Sequence, residues 1–284
     1  MPEPSRPSVS SSLATGMNSA HMAAPWRLEC EGLVVQRGRR VALAGVTISL
    51  GTAECVSLVG PNGSGKTTLL LAVAGLLLPA RGTVRIAGRD VCQYSSWERA
   101  RLFAYVPQAV ERAPAFSVRD VVTGGRYAHI GALRSLSPAD ETAVQAGLAR
   151  CGLGPLADRR FDAISGGERQ KTLIAAAIAQ DAQMLLLDEP NTALDPAHQI
   201  ELVRILQGWR EAGRGLLMVS HDLQLPAALG GRVVALREGR VAADGPAEQV
   251  LTPPVLSAIY GARFATAVTA HGTQLVLPVW WRTG

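Results

Sequence analysis

A short glycine-rich segment contains the residues with the clearest chemistry in this chain. Its residues are Gly60, Pro61, Asn62, Gly63, Ser64, Gly65, Lys66, Thr67 and Thr68. Glycines at this spacing let backbone N–H groups close around phosphates, the lysine ammonium reaches the β and γ oxygens, and the Thr67 hydroxyl binds Mg²⁺. The segment therefore predicts a site for a nucleoside triphosphate. Its flanks agree, because 54–60 predicts a buried strand and 66–75 predicts a helix.

Two carboxylates follow another apolar run. Asp188 and Glu189 come directly after residues 184–187, which predict a fully buried strand. Ligands bind at the carboxyl ends of strands in open α/β sheets, so Asp188 is expected to hold Mg²⁺ and Glu189 to act as general base on the attacking water. The alternative is an acidic pair that only caps a strand before a turn. The presence of Lys66 favours the functional interpretation.

Three further features gain weight from their order along the chain. Ser165, Gly166 and Gly167 precede a long helix, and a serine hydroxyl with backbone N–H groups at a helix N-terminus can bind an anion. Gln108 and His221 each follow a predicted strand, where Gln108 could reach Mg²⁺ and His221 could orient water at the γ-phosphate. Taken singly, the three would be a helix cap, a strand-end amide and a structural histidine.

Composition limits the class of protein. The 284 residues are 48% hydrophobic and 18% charged, which is typical of a globular chain with one large or two modest domains. The longest apolar stretch, 69–78, is too short to span a bilayer. The net charge of +5 favours anionic partners such as nucleotides, acidic lipids or nucleic acid. The arginines are scattered and no nucleic-acid motif accompanies them, so we expect no nucleic-acid partner.

Thiols, imidazoles and the N-terminus supply weaker signals. No C-x-x-C pair is present, and we expect buried reduced thiols and a cytosolic protein. The cysteines are Cys30, Cys55, Cys92 and Cys151. No catalytic or metal-binding role is assigned to His21, His129, His198 and His271. Residues 1–25 are rich in Ser, Pro and Ala and predict a disordered tail without a secretory signal; Met17 and Met22 leave the translation start open.

The remaining sequence predicts one α/β domain over 26–284 with a largely parallel sheet. Residues 28–51 alternate apolar and polar side chains and predict an antiparallel hairpin before the phosphate-loop strand. Helical periods over about 109–165 predict an inserted helical subdomain. The segment from about 250 to 284 predicts a helix and then a hairpin that turns near His271.

These motifs, in this order, resemble the ATP-binding subunit of an ABC transporter over about residues 28–280. The Walker A loop is at 60–68, the Q-loop at Gln108, the signature at 164–168, Walker B at 184–189, the D-loop aspartate at Asp195 and the switch histidine at His221. The resemblance implies a P-loop NTPase of the ABC ATPase fold. That fold has a RecA-like core, an antiparallel β subdomain and an inserted helical subdomain.

The resemblance also implies ATP and Mg²⁺ as cofactors and a homodimer with two nucleotides at its interface. The serine and glycines at 165–167 would act on the partner's nucleotide, and Asp195 would lie at the dimer seam. Two positions depart from the family pattern. The signature ends in Glu168 where Gln is common, and Arg37 stands where an aromatic usually stacks on adenine. A guanidinium can also stack on a base plane, so Arg37 is the predicted adenine contact.

Softer similarities favour the importers of iron–siderophore, haem and cobalamin. They lie at 116–129, 136–140, 156–162 and 251–261. The implied assembly is two copies of this chain at the cytoplasmic face of the membrane, beneath two permease subunits fed by an extracytoplasmic binding protein. The alternatives are an importer for another small solute or metal ion, or a non-transport ABC ATPase. Three other ATPase classes fit less well. The sequence leaves no room for the long coiled-coil arms of DNA-repair or chromosome-organising ABC ATPases, and it has one cassette where translation-associated ABC proteins normally have two. A P-loop kinase would lack the Ser165 turn.

Overall fold

A computed structural model of the protein describes residues 26–108, 115–130, 135–192, 194–268 and 274–279. Its strands are β1 (Arg27–Arg37), β2 (Arg40–Gly51), β3 (Cys55–Val59), β4 (Arg81–Ile86), β5 (Arg89–Asp90), β6 (Phe103–Val106), β7 (Met184–Asp188), β8 (Gly215–Val219), β9 (Arg232–Arg237), β10 (Arg240–Pro246), β11 (Phe264–Val268) and β12 (Gln274–Pro278). Its helices are α1 (Lys66–Val73), α2 (Ser96–Leu102), α3 (Val118–Gly124), α4 (Tyr127–Ile130), α5 (Pro138–Arg150), α6 (Gly166–Gln180), α7 (Pro196–Glu211), α8 (Gln224–Leu229), α9 (Ala247–Val250) and α10 (Pro253–Tyr260).

The central sheet has the order β10-β9-β3-β8-β7-β6. Strands β9, β3, β8, β7 and β6 run parallel, and β10 joins antiparallel to β9. Every residue of β3, β7 and β8 is buried, as expected for a parallel sheet with both faces covered. The predicted α/β architecture is therefore present, and the carboxyl ends of the parallel strands share one edge.

A second sheet, β2-β1-β4-β5, is antiparallel. The hairpin of β1 and β2 turns at Gly38 and Arg39, and its inward side chains pack in one hydrophobic core with those of α1 and β3. The Ala44 N–H donates to the carbonyl of Gly239, which lies between β9 and β10. These contacts hold the turn end of the hairpin against the phosphate loop.

Helices α3, α5 and α6 pack together on the other side of the sheet. Each of these helices has a serine N-cap that forms a capping box with the acidic residue three positions later. The N-caps of α3, α5 and α6 are Ser117, Ser137 and Ser165. A buried ion pair joins the helices, since the guanidinium of Arg126 lies 2.8 Å from the carboxylate of Asp140. The predicted long helix after Ser165 is α6, which begins at Gly166 because Ser165 is its N-cap.

The C-terminal elements pack against residues of β3 and β9. Leu256 and Ile259 of α10 are buried against these strands, and β11 pairs with β12. The expected helix and hairpin correspond to α10 and β11–β12, while the expected turn at His271 lies outside the described residues. None of the helices in the described ranges is long and apolar enough to cross a membrane.

The expectation of four buried thiols is wrong for one of them. Cys30, Cys55 and Cys151 are buried and free, whereas Cys92 is free and exposed. Cys92 lies in a single 3-10 turn, and its N–H donates to the carboxylate of Asp90 at 2.8 Å. That turn is at the surface, so only a short local contact surrounds the thiol. The predicted tail, 1–25, lies outside the described residues.

Candidate active site

The phosphate loop follows β3 and leads into α1. Gly60, Gly63 and Gly65 have φ values of 138°, 73° and 105°, a region that favours glycine. A Cβ on Gly65 would lie 2.5 Å from the carbonyl oxygen of Ala42. The loop is therefore closed tightly against the hairpin, as a cradle made of backbone must be. The hydroxyl of Ser64 is buried there without a hydrogen-bond partner among the described residues, which fits a polar ligand in the cradle.

Lys66 begins α1 and is only 5% exposed. Its ammonium donates to the carbonyl oxygens of Gly60 at 2.8 Å and Pro61 at 3.0 Å. Burial lowers the pKa of Lys66, and the nearby carboxylates of Glu189 and Asp188 act in the opposite direction. The ammonium is therefore directed across the loop, where phosphate oxygens can replace backbone carbonyls as its partners.

Asp188 ends β7, two strands away from the phosphate-loop strand. The Thr67 hydroxyl donates to a carboxylate oxygen of Asp188 at 3.0 Å. Burial raises the pKa of Asp188, and the bond from Thr67 partly offsets this. Two of the three predicted Mg²⁺ ligands thus lie side by side, and a hydroxyl and a carboxylate are oxygen ligands of the kind that Mg²⁺ prefers.

Glu189 is buried at the start of the next turn, with a φ of 49°. One carboxylate oxygen accepts a bond of 2.6 Å from the amide of Gln108 and a longer one of 3.3 Å from the Thr192 hydroxyl. The other carboxylate oxygen contacts Nε2 of His221. The structure thus brings together three of the predicted residues. Thr192 was missed, because a threonine in a turn has no distinctive spacing.

The Ser165 turn lies at the N-terminus of α6. The Ser165 hydroxyl accepts from the Glu168 N–H at 3.2 Å, and the Glu168 carboxylate accepts from the Ser165 N–H at 2.8 Å. These bonds lower the pKa of Glu168, which keeps it ionised. Ser165 and Gly166 are exposed, and Gly167 is buried. No hydrogen bond joins this turn to the phosphate loop of its own chain in the described ranges.

Two arginines beside the turn of the β1–β2 hairpin differ in their contacts. Arg37 ends β1 in an exposed position, opposite Arg40. Arg40 donates to the carbonyl oxygen of Gly63 at 2.8 Å, so it is the arginine that contacts the phosphate loop. Sequence reasoning missed Arg40, although its place in a basic cluster beside a turn was visible. The role of Arg37 at adenine stays a prediction.

Asp195 caps α7 and accepts from the His198 N–H at 2.9 Å. That bond lowers the pKa of Asp195, and the His198 ring is 3.0 Å away. The N-cap contact accounts for the conformation of Asp195 within its own chain. The place of Asp195 at the dimer seam stays a prediction. Ala193 of the predicted D-loop lies outside the described residues, as do His21 and His271. His129 bonds the carbonyl of Gln180, which fits the absence of a catalytic assignment.

The family model of the ABC transporter matches residues 43–192, more than half of the chain. The chain belongs to the ABC transporter family. It is an ATP-binding subunit with the ABC ATPase fold, and its ATPase activity is coupled to transport across a membrane. The predicted fold class and enzyme class are thus confirmed.

Several curated relatives of this ABC subunit are named as ATP-binding proteins of import or transport. The hemin import ATP-binding protein of Rhodococcus jostii is 39% identical over 254 residues, which is 88% of this chain and 86% of the relative. The ferric enterobactin transport ATP-binding protein of Escherichia coli is 35% identical over 255 residues, with 89% and 94% covered. A cobalamin import ATP-binding protein of Halobacterium salinarum is 39% identical, with 90% and 64% covered. The chain is similar to these ABC subunits over most of its length.

Solved structures agree on the fold. An inward-facing ABC transporter described as of metal-chelate type is 26% identical with a TM-score of 0.78, covering 90% of this chain and 98% of that one. A dimeric cassette bound to ADP and Pi has a TM-score of 0.69 at 24% identity, covering 78% and 98%. At that identity the second likeness concerns the fold alone.

Replacing Glu189 with Gln tests its position beside Gln108 and His221. The amide keeps the size of the side chain but cannot take a proton, so we expect ATP to bind while hydrolysis falls at least about 100-fold. The ATP-dependent dimer should accumulate in size-exclusion chromatography. Glu211→Gln, at an exposed carboxylate of α7, is the matched control and should hydrolyse normally. Undiminished hydrolysis by Glu189→Gln would remove this residue from the role of base.

The effects of Arg37 and Arg40 on nucleotide binding can be distinguished by comparing ATP with GTP. Arg40 holds the phosphate loop, so Arg40→Ala should weaken binding of ATP and GTP alike, by about 3- to 10-fold. Arg37→Ala should instead change the preference for ATP over GTP, because the predicted contact is with the base. Equilibrium titration of both variants with both nucleotides measures this. A base-selective effect of Arg40→Ala, or no effect, would contradict the assignment.

Proposed function

We propose that this chain is the ATP-hydrolysing subunit of an importer for an iron–siderophore, haem or cobalamin. It would act as a homodimer at the cytoplasmic face of the membrane, beneath two permease subunits that receive cargo from an extracytoplasmic binding protein. The observation that carries the proposal is its similarity over most of its length to relatives named for hemin, ferric enterobactin and cobalamin. In this assembly the chain contacts nucleotide and permease, and the cargo passes through the permease.

The donor set at the phosphate loop supports Mg²⁺ as the partner of ATP. Thr67 and Asp188 would hold the ion through their oxygens, and the amide oxygen of Gln108 is a third candidate ligand. The ion would neutralise charge on the terminal phosphates. Lys66 would bind the β and γ oxygens, and the backbone N–H groups of the loop would surround them.

Water attack is the task of the group around Glu189. The carboxylate would take a proton from the attacking water, while Gln108 and Thr192 hold one of its oxygens in place. His221 contacts the other oxygen and would hydrogen-bond the γ-phosphate and orient the water. The buried position of Glu189 reduces competition from bulk water, so one defined water can be positioned.

Dimerisation supplies the remaining contacts to the nucleotide. Each chain has one phosphate loop and one Ser165 turn, and the turn makes no hydrogen bond to its own loop within the described residues. Ser165 and Gly166 are exposed at a helix N-terminus, where a second chain's ATP would find an anion site. Exposed Asp195 would lie at the same seam. A hydrolysing unit would therefore need two chains.

A groove beside the helical subdomain supports a permease contact. It has a volume of about 430 Å³ and is lined by residues of α2, α3, α4 and the end of α6. Trp97 and Tyr127 stack there with ring centres 4.9 Å apart while remaining 38% and 64% exposed. Strand β6 connects α2 directly to the residues before Gln108. A helical segment of the permease in this groove would thus be one short strand away from the catalytic glutamine.

Replacing Trp97 with Ala removes the larger ring of the stack, and we expect co-purification with the permease to fall about tenfold or more, as for an aromatic hot spot. Phe116→Ala is the matched control, because Phe116 is equally apolar and 60% exposed but does not line the groove. Tandem affinity purification from membranes measures both. Normal recovery of the permease with Trp97→Ala would place the docking surface elsewhere.

An uptake experiment in cells identifies the cargo. Cells lacking this gene should lose uptake of labelled ferric siderophore, haem or cobalamin, and wild type should restore it while Lys66→Ala should not, because that variant lacks the phosphate-binding ammonium. Accumulated label is the measurement. Unchanged uptake of all three would discard this cargo class and favour another small solute or metal ion, leaving the ATPase assignment intact.

A further inference from the structure

The C-terminal helix contacts the phosphate loop directly. The Tyr260 hydroxyl, at the end of α10, accepts a hydrogen bond of 3.0 Å from the backbone N–H of Gly60. Gly60 is the first residue of the loop and follows the last residue of β3. Tyr260 is 200 positions away along the chain. A residue from the end of the chain therefore supplies the acceptor for the N–H at the start of the nucleotide site.

Gly60 is the point at which the loop is anchored. Its φ of 138° favours glycine, and a Cβ there would overlap the carbonyl oxygen of Leu236. Its own carbonyl oxygen accepts the bond from Lys66 at 2.8 Å. Tyr260, Gly60 and Lys66 thus form a chain of two hydrogen bonds that ends at the phosphate-binding ammonium. A shift at Gly60 would be transmitted to Lys66.

Tyr260 is held firmly enough to act as such an anchor. Its helix buries Leu256 and Ile259 against Val59, the residue just before Gly60. The ring of Tyr260 contacts that of Phe264 with centres 5.7 Å apart. Packing on both sides restricts the ring, so its hydroxyl presents a fixed acceptor.

The same C-terminal elements reach a second loop of the site. The side-chain amide of Gln224 donates to the backbone carbonyl of Val276 in β12 at 3.2 Å. The backbone N–H of Gln224 donates to the Asp222 carboxylate at 2.8 Å, and Asp222 follows His221 directly. The hairpin is therefore linked through one glutamine to the loop that carries the switch histidine.

We propose that the C-terminal helix and hairpin, α10 with β11 and β12, position both loops that flank the triphosphate. Tyr260 is a positioning residue for the phosphate loop through Gly60, and Gln224 is a positioning residue for the His221 loop through Val276. The two contacts have separable effects. The first acts on nucleotide binding through Lys66, and the second acts on turnover through the contact of His221 with Glu189.

The inference depends on the ATPase activity of the family and not on the identity of the cargo. An uptake experiment that fails for all three cargo classes leaves it untouched. The tests below use the purified full chain, with a fluorescent ATP analogue for binding and released phosphate for turnover. A failure of the import proposal and a failure of this one therefore give different results.

Tyr260→Phe keeps the packed ring and removes only the acceptor for Gly60. We expect the Kd and KM for ATP to rise about 3- to 10-fold, the effect of one lost hydrogen bond, with kcat unchanged. Tyr94→Phe is the matched control, since Tyr94 bonds the backbone carbonyl of Ile86 at 2.8 Å in the β subdomain. Tyr94→Phe should lower the melting temperature by about as much as Tyr260→Phe does, because each removes one hydrogen bond, but it should leave KM for ATP unchanged.

Gln224→Ala removes the link to Val276, and we expect kcat to fall about 3- to 10-fold with the Kd for ATP unchanged. Gln207→Ala is its control, because it removes a hydrogen bond of 3.5 Å from the Gln207 side-chain amide to the Ala228 carbonyl, and it should keep full kcat. Wild-type KM in Tyr260→Phe, or wild-type kcat in Gln224→Ala, would overturn the proposal. A raised KM together with a loss of melting temperature far beyond that of Tyr94→Phe would assign Tyr260 a merely structural role.

Discussion

Parallel pairing of the central strands decides where four polar positions of this site lie. Because β3, β8, β7 and β6 run in one direction, the residues that follow them meet at one edge of the sheet. Gly60, His221, Glu189 and Gln108 come from four such ends, far apart in sequence. A slip in the pairing of β7 with β8 would separate Glu189 from His221 while leaving each motif intact.

Burial sets the electrostatics of that edge. The pKa of Lys66 is lowered and the pKa of Asp188 is raised, because burial disfavours the charged form of each group. A ligand that stabilises the charged form of either group therefore gains binding free energy. Phosphate oxygens would do so for the ammonium of Lys66, and a divalent cation for the carboxylate of Asp188. The contacts of Glu189 with Gln108, Thr192 and His221 fix the direction of its carboxylate, as its proposed role of general base requires.

Much of the fold and site was predictable from the sequence, for a local reason. Residues 60–68 and 184–189 are runs in which strand, turn and functional side chain are adjacent, so pattern alone places them. Arg40 and Tyr260 were missed because their contacts with Gly63 and Gly60 join segments that are far apart, and neither residue belongs to a motif. Strands β9 and β10 were also not predicted, since no catalytic residue marks them. The prediction that Cys92 is buried was wrong, because a short turn exposes it.

Lys66 already has two backbone acceptors within its own loop, the carbonyls of Gly60 and Pro61. These two bonds orient the ammonium within the loop, so a triphosphate would replace carbonyl partners of an ammonium that already points into the site. Ordering of the chain then costs little conformational entropy at the moment of binding. The affinity of this site for nucleotide should accordingly reflect contact enthalpy and counter-charge more than any folding of the loop around its ligand.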